Sequence, residues 1–590
     1  MNRAGPGTAA VPAALAIREG ALVHSSKSPT RSTRAAGTAA VPGLVRVASA
    51  AAGLAAVGLV LAQPPQPPAK GKDTRYYSDR EALNSCGLCH KSRPPGFALA
   101  DKDSLVLLNE FTAWQHHDLH RRACDALSSP LGVQMSRLLY GDPKAAAKKA
   151  DCLVCHATDT APGAPLSADI PGRFSCDLGV NCQSCHGPAA KWDGPHRLGD
   201  WRPLTGHEKT ATYGMTNLRD PAVRARTCVG CHVGSTDEGK FVTHDMYAAG
   251  HPPLPAFELA TFSRDEPRHW LSPADVPYIR GLEPAAAAER YSYRKGEVEA
   301  ARLAAVGAVV GFRRAIDLLR FDPDPARPSP GLDFAHFNCA ACHHDLRVPS
   351  DRQINGFPGV PGRPVPQTWS VWLVRAVLRH AQQSGRDGAE QLRTEFEAGY
   401  DTLRQTFDAR PFGEKEKVLQ AARALDATCE KVQKLVEGIV YDEPTARGLF
   451  AALAAEAAAD PGPAAARRRD FLDADGAAQI ARAFAAVYAE LAGGYAEPPK
   501  DGPPSPDSLK SDPAGIAKLL AEIDAELPLA VRPNYRNGLD ESGKPLPGAE
   551  TFLIQHEQLG QRLRKASEFK PAEYRRQFAE IARRLAADPK

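Results

Sequence analysis

The sequence of 590 residues predicts a mainly α-helical protein, in which a core of short helices and long loops is followed by a C-terminal helical domain. Two observations carry this prediction. Twelve of the thirteen cysteines lie before residue 343, in a segment rich in glycine and proline. From about residue 366 onward, apolar residues recur at the spacing of one face of an amphipathic helix.

Composition and charge exclude several classes of protein. Hydrophobic residues make up 43% of the chain and charged residues 24%, which is typical of a globular protein rather than a disordered tail or a bundle of membrane helices. The formal net charge of +4 is too small to indicate a nucleic-acid partner. The first 62 residues hold six basic residues and one acidic residue, so the chain without them has a charge of −1.

The amino terminus is predicted to be a signal peptide. Val47–Ala62 is an uncharged stretch of sixteen residues preceded by arginines, and it ends on a small residue of the kind that signal peptidases require. A membrane-spanning helix needs about 20 apolar residues. We therefore predict a signal peptide over 1–62, a linker over 63–84 and a periplasmic protein. An uncleaved anchor, which would give weak membrane association, and a buried alanine-rich helix are the alternatives.

A pentapeptide of the form Cys-x-x-Cys-His occurs five times. Two thiols at this spacing can each add to one vinyl group of a single haem, while the following imidazole binds the iron, so the motif is typical of covalent haem c attachment. Zinc sites do not need a histidine after every pair, and an odd number of pairs cannot be divided into four-cysteine sites. The cysteines of the five motifs are predicted to attach five haems, and the histidines to ligate iron: Cys86, Cys89 and His90; Cys152, Cys155 and His156; Cys182, Cys185 and His186; Cys228, Cys231 and His232; Cys339, Cys342 and His343.

Further histidines are concentrated in the same segment. Ten of them lie outside the motifs, from His116 to His344. A low-spin electron-transfer haem takes a second axial ligand, and the chain has only four methionines, so histidine is the expected ligand. For any one of these histidines, a surface or hydrogen-bonded role is the alternative.

Three stretches within about residues 85–255 resemble, in amino-acid sequence, the tetrahaem cytochrome c554 family of nitrifying bacteria. The stretches are Phe111–Trp114 followed by His116, His117 and His120; Gly179–Pro188 followed by Trp192 and His196; and His244–Leu254, which contains His251. The resemblance implies that His120, His196, His244 and His251 are second ligands of iron, with His116 as the alternative to His120. It covers less than a third of the chain.

The chain departs from that family in its fifth motif and its long haem-free tail. His336 lies seven residues before His343 and is predicted to ligate a neighbouring iron. We expect a pentahaem cytochrome c domain over 85–350 and a helical domain with proline-rich linkers over 366–590. The fifth haem would be a point where electrons enter or leave.

Several local structures are predicted from spacing. The short separation of the second and third motifs predicts a close pair, and residues 295–319 have the apolar spacing of a helix. Cys124 and Cys176 form a disulfide or remain two free thiols. Two apolar stripes predict helices in the tail: Leu392, Phe396, Tyr400, Leu403 and Phe407; and Val418, Leu425, Cys429, Val432 and Ile439.

These observations predict a c-type cytochrome that carries electrons between redox protein partners, with haems that mostly have two histidine ligands. No catalytic residue is predicted. The alternative is a haem enzyme with one open iron that oxidises or reduces a small nitrogen or sulfur species. The chain lacks the Cys-x-x-Cys-Lys motif of pentahaem nitrite reductases. In a third interpretation, the helical tail is the functional module and the haems form a redox sensor or a docking scaffold.

Overall fold

A computed structural model describes residues 75–91, 105–322, 331–343, 348–349, 360, 362–367, 370–459, 472–493, 515–526 and 569–587. All of them belong to one compact unit. The predicted signal peptide lies outside the described residues, as do 63–74 of the predicted linker. No helix among the described residues is both long enough and apolar enough to cross a bilayer.

The described residues are mainly helical, which confirms the predicted fold class, and they contain isolated β-bridges but no strand. The helices of the motif-bearing part are α1 (Asp79–Cys89), α2 (Glu110–His117), α3 (Pro130–Tyr140), α4 (Ala150–His156), α5 (Cys182–His186), α6 (Gly206–Tyr213), α7 (Pro221–His232), α8 (His244–Ala249), α9 (Leu259–Asp265), α10 (Pro277–Gly281), α11 (Pro284–Tyr291), α12 (Glu299–Asp317) and α13 (Cys339–Cys342). Those of the tail are α14 (Val371–Gln383), α15 (Ala389–Asp408), α16 (Lys415–Gly438), α17 (Glu443–Ala458), α18 (Ala474–Leu491), α19 (Ile516–Glu526) and α20 (Pro571–Ala587).

Local sequence explains where the motif-bearing helices begin. Ser78 and Glu81 form a capping box at the start of α1, in which each side chain binds a backbone N–H of the other end of the turn. At α7, the Asp220 carboxylate accepts hydrogen bonds from two backbone N–H groups, and Pro221 occupies the first helical position. These caps set the start of each helix, and both helices then run into a Cys-x-x-Cys-His motif.

Helix α12, predicted over 295–319, joins the motif-bearing part to the tail. It is buried along most of its length and packs against α7 and α9 on one side and against α14, α16 and α18 on the other. At Gly307, a Cβ atom would stand 2.5 Å from Cβ of Leu259 in α9, so only glycine allows this close approach.

The tail helices bury the two predicted stripes. Phe396, Tyr400, Leu403 and Phe407 of α15 are buried, as is Cys429 of α16, which confirms that this cysteine is a core residue. Full burial of a side chain such as phenylalanine contributes about 1.5–3 kcal/mol. The largest group of buried apolar side chains runs from Ala222 in α7 to Ile581 in α20, so the two parts share one core.

Helix α18 also holds the chain that follows the predicted ligand His251. The Gln479 side chain donates a 3.0 Å hydrogen bond to the Phe257 carbonyl oxygen, and Arg482 donates a 2.6 Å bond to that of Ala256. These bonds connect the tail to the segment that packs beside the fourth motif.

Candidate metal centres

Each of the five motifs forms one helical turn at the end of a helix. The motifs end α1, α4, α5 and α7, and they form α13. Residues at i and i+3 of a helix lie on one face, so both thiols of each motif point to the same side. The next residue, a histidine, lies at the helix end close to that side. This is the geometry that a haem with two thioether bonds and a proximal imidazole requires.

Four of the five motif histidines face a second histidine ring, although no two members of a pair are neighbours in sequence. The ring centroids are 6.3 Å apart for His90 and His196, 6.5 Å for His156 and His251, 6.0 Å for His120 and His232, and 6.3 Å for His244 and His343. All four second rings belong to residues that were predicted as ligands.

These separations leave room for one ion between the two rings of each pair. A metal–imidazole bond is about 2 Å long, so two rings on opposite sides of one ion have centroids about 6 Å apart. The four pairs lie within 6.0–6.5 Å, so an iron fits between the rings of each pair. The residues therefore fit four haem irons with two histidine ligands each.

Two of the paired histidines are held by carboxylates. Nδ1 of His90 lies 2.8 Å from Oε2 of Glu110, and Nδ1 of His120 lies 2.9 Å from Oδ1 of Asp118. Such a contact fixes the ring orientation, leaves Nε2 for the metal, and makes the imidazole a stronger donor.

Other paired histidines are held by backbone carbonyl oxygens instead. Nδ1 of His156 lies 2.7 Å from the oxygen of Ala123, and Nδ1 of His251 lies 2.8 Å from that of Pro252. His196 contacts the carbonyl oxygens of its own helical turn. A neutral carbonyl orients a ring as a carboxylate does, but it adds no negative charge.

The environment shifts the pKa values of these rings in two directions. The hydrogen bond that His90 donates to the Glu110 carboxylate raises the pKa of His90. Burial acts to lower the pKa of His120, but the hydrogen bond and charge of Asp118 outweigh it and raise the value to about 9. Burial lowers the pKa of His232 and His251 to about 4, which keeps these rings neutral and available to a metal.

The third motif differs from the others. Among the described residues, no second histidine ring faces His186, whose pKa burial lowers to about 4, with a further lowering from nearby charges that include His269 and Arg219. Gly187 follows it with φ +82°, and a Cβ there would stand 2.7 Å from the oxygen of Gly214, so the turn away from the motif needs glycine. An iron bound at His186 would have no histidine opposite among the described residues.

His336 lies in a helical turn that packs against α8, the helix that begins with His244. It is buried, its ring stacks on that of Phe241 with centroids 4.8 Å apart, and its Nε2 atom has no hydrogen-bond partner among the described residues. Among the described residues it faces no motif histidine, so its assignment to an iron stays a prediction. His116, the alternative to His120, is exposed and contacts His117 at the end of α2.

Contacts between motifs show how the five turns are arranged. The thiol of Cys86 contacts that of Cys182, and the thiol of Cys155 contacts that of Cys231. The first motif thus adjoins the third, and the second adjoins the fourth. The predicted closeness of the second and third motifs is also present, since Oγ1 of Thr158 lies 2.9 Å from Oγ of Ser184.

Cys124 and Cys176 form a disulfide, with Cα atoms 5.4 Å apart. The bond lies beside α4, where Cys124 packs with Leu153 and Ala157 in a small apolar cluster. It therefore braces the helix that carries the second motif.

The first and fifth motifs are the exposed ones. Cys89, Cys339 and Cys342 are exposed, whereas the cysteines of the three middle motifs are half-buried. Leu88, between the two cysteines of the first motif, is 77% exposed. The exposed thiols thus belong to the first and last motifs of the series, although Cys86 of the first motif is half-buried.

The residues that support the ligands were not predicted from the sequence. Asp118 stands two residues before His120, which is a signal that could have been used, but Glu110 is twenty residues from His90. Phe257 and Phe262, whose ring centroids lie 6.3 and 5.0 Å from that of His232, carried no sequence signal.

Comparison with known families identifies one part of the chain. Residues 85–187 match the family described as cytochrome c554 and c-prime. The matched stretch contains the first three motifs and His120. No curated protein and no solved structure matches the chain.

Proposed function

Because residues 85–187 are a segment of a c-type cytochrome of the cytochrome c554 and c-prime family, we propose that the chain carries electrons through five covalently bound haems in a periplasmic redox chain. Each haem iron, once bound, gains and releases one electron. The ten motif cysteines attach the haems, and the five motif histidines bind the irons from one side.

One observation carries this proposal: four motif histidines face His196, His251, His120 and His244 at ring-centroid distances of 6.0–6.5 Å. An iron with two histidine ligands has no free position for a substrate, so its role is electron transfer rather than bond-making chemistry. His336 is the remaining proposed ligand, without an assigned partner in this scheme.

The exposed outer motifs support redox proteins as partners. A donor and an acceptor need close approach to a haem, and Cys89 at the first motif and Cys342 at the fifth are both exposed. Contacts between Cys86 and Cys182, and between Cys155 and Cys231, bring the intervening attachment points close together. We propose that partners dock at the first and fifth motifs. The predicted signal peptide supports haem attachment outside the cytoplasm.

Haem content and spin state test this proposal. Mass spectrometry of the purified protein should show five haems per chain, and electron paramagnetic resonance should show four low-spin irons. Fewer than four haems per chain would contradict the attachment scheme. A majority of high-spin iron would contradict the histidine pairing.

His186 favours a second candidate function. An iron there, without an opposite histidine among the described residues, would be open to a small nitrogen or sulfur species, as in a haem enzyme. One stoichiometric high-spin iron whose spectrum changes on addition of nitric oxide or nitrite would support this function. Entirely low-spin iron, unchanged by either compound, would exclude it.

A further inference from the structure

Two basic side chains near the third motif each lie over an aromatic ring. The guanidinium carbon of Arg219 lies 5.7 Å from the centre of the Tyr291 ring, and Nζ of Lys209 lies 5.4 Å from the centre of the Trp201 ring. Within the part of the chain that the structure describes, neither side chain forms an ion pair. Both are partly buried.

Nearby arginines that are partly buried do have carboxylate partners. Arg224 lies 3.3 Å from Glu299, and Arg302 lies 3.3 Å from Glu297. The protein thus supplies acids where a buried cation needs one. Lys209 and Arg219 are exceptions to this pattern.

Both cations lie close to the proposed iron centres of the first and third motifs. Trp201, which underlies Lys209, has its ring centroid 6.5 Å from that of His196, the residue that faces His90. Arg219 lies three residues beyond Thr216, whose backbone N–H donates a 3.0 Å hydrogen bond to the carbonyl oxygen of His186. The two side chains therefore lie near the first and third motifs.

Leaving two like charges unpaired in this position is unfavourable. Burial lowers the pKa of Lys209 to about 8 and that of Arg219 to about 10, and the charge of Arg219 lowers the pKa of Lys209 further. A partly buried cation recovers its lost hydration only through an anion or several acceptors. The aromatic faces of Trp201 and Tyr291 offset only part of this loss.

We propose that Lys209 and Arg219 form an anion site whose ligands are carboxylates, the propionate groups of the haems attached at the first and third motifs. The guanidinium group of Arg219 can bind one carboxylate through two parallel hydrogen bonds, and Lys209 can bind another as a point charge. This inference rests on the proposed function, because it needs haem at both motifs. A free oxyanion that approaches the iron at His186 has the same chemistry, and the experiment separates the two sources.

The test compares the haem-loaded protein with Arg219→Gln and Lys209→Gln variants in potentiometric titrations over a range of pH. Arg280→Gln, on the exposed face of α10, is the matched control, and Arg219→Lys keeps the charge. Loss of the cation should lower the midpoint potential of one haem, because reduction adds negative charge to a site that has lost a positive one. It should also make that potential depend on pH, because the unpaired propionate then binds a proton on reduction.

The control and Arg219→Lys should behave like the unchanged protein. Unchanged potentials in both glutamine variants, with five haems still bound, would overturn the proposal. A lowered potential without new pH dependence would also overturn it, because a propionate would not then be the ligand. The free-oxyanion source predicts unchanged potentials in plain buffer, together with a nitrite-induced spectral change that Arg219→Gln abolishes. Fewer than five haems in the unchanged protein would contradict the proposed function instead.

Discussion

Nδ1 of His90 lies 2.8 Å from a carboxylate oxygen of Glu110, so the histidine of the first motif is held by a negative charge. This carboxylate raises the pKa of the ring and makes its other nitrogen a stronger donor. A stronger donor favours the ferric over the ferrous state of the iron that it binds.

We expect Glu110→Gln to raise the midpoint potential of one haem. The amide can keep the hydrogen bond to His90 but removes the charge that stabilises ferric iron. Spectroelectrochemical titration would measure the shift. Glu283→Gln, at an exposed glutamate before α11, should leave every potential unchanged. An unchanged potential in Glu110→Gln would show that the contact does not tune the iron.

The ring planes predict two classes of low-spin signal. The planes are nearly parallel for His90 with His196 (16°) and His244 with His343 (24°), and nearly perpendicular for His156 with His251 (76°) and His120 with His232 (79°). Parallel ligands separate the energies of the two iron d orbitals that interact with them, whereas perpendicular ligands do not. Electron paramagnetic resonance should therefore show two rhombic signals and two strongly anisotropic ones. Four signals of a single type would contradict the pairing.

We expect His251→Met to raise the midpoint potential of the second centre. Methionine opposite histidine favours ferrous iron more than a second histidine does. Potentiometric titration would show one haem displaced upward and the others in place. His207→Met replaces an exposed histidine in α6 and serves as the control. Equal titration curves for both variants would remove His251 from the ligand set.

Replacing Gln479, in tail helix α18, by leucine should disturb the iron centre of the fourth motif. The variant leaves the buried carbonyl oxygen of Phe257 without its donor, at a cost of about 1–3 kcal/mol. Since the Phe257 ring stacks beside His232, we expect a change in one strongly anisotropic resonance signal and a lower denaturation midpoint. Lys434→Gln, on an exposed position of α16, should change neither. A stability loss with an unaltered resonance spectrum would limit the role of Gln479 to packing.

The disulfide should stabilise the second centre. Replacing Cys124 and Cys176 together by alanine removes a link across 52 residues, and such links typically contribute about 2–4 kcal/mol. We expect a lower midpoint in denaturant-induced unfolding. A reducing agent should lower the midpoint of the unchanged protein toward that of the variant and leave the variant unaffected. Equal midpoints before reduction would mean that the bond does not contribute to stability.

Local features of this protein follow from the order of its residues. The five Cys-x-x-Cys-His turns, α12, and the stripes of α15 and α16 depend on spacings of three and four residues, which one helix satisfies by itself. The turn at Gly187 and the start of α7 at Asp220 are local in the same way. The sequence also shows the ten histidines outside the motifs, from which the candidate second ligands were taken.

Tertiary structure decided which rings face each other. His90 meets His196 across 106 residues, and His120 meets His232 across 112, distances along the chain over which spacing carries no information. The same holds for the contact of Glu110 with His90 and for the bond from Gln479 to Phe257. Only the packing of separate segments brings these groups together. That packing is driven by the burial of apolar surface, both in the core that runs from α7 into the tail and in the smaller cluster of Ala82, Phe111, Trp114 and Leu178 beside the first motif.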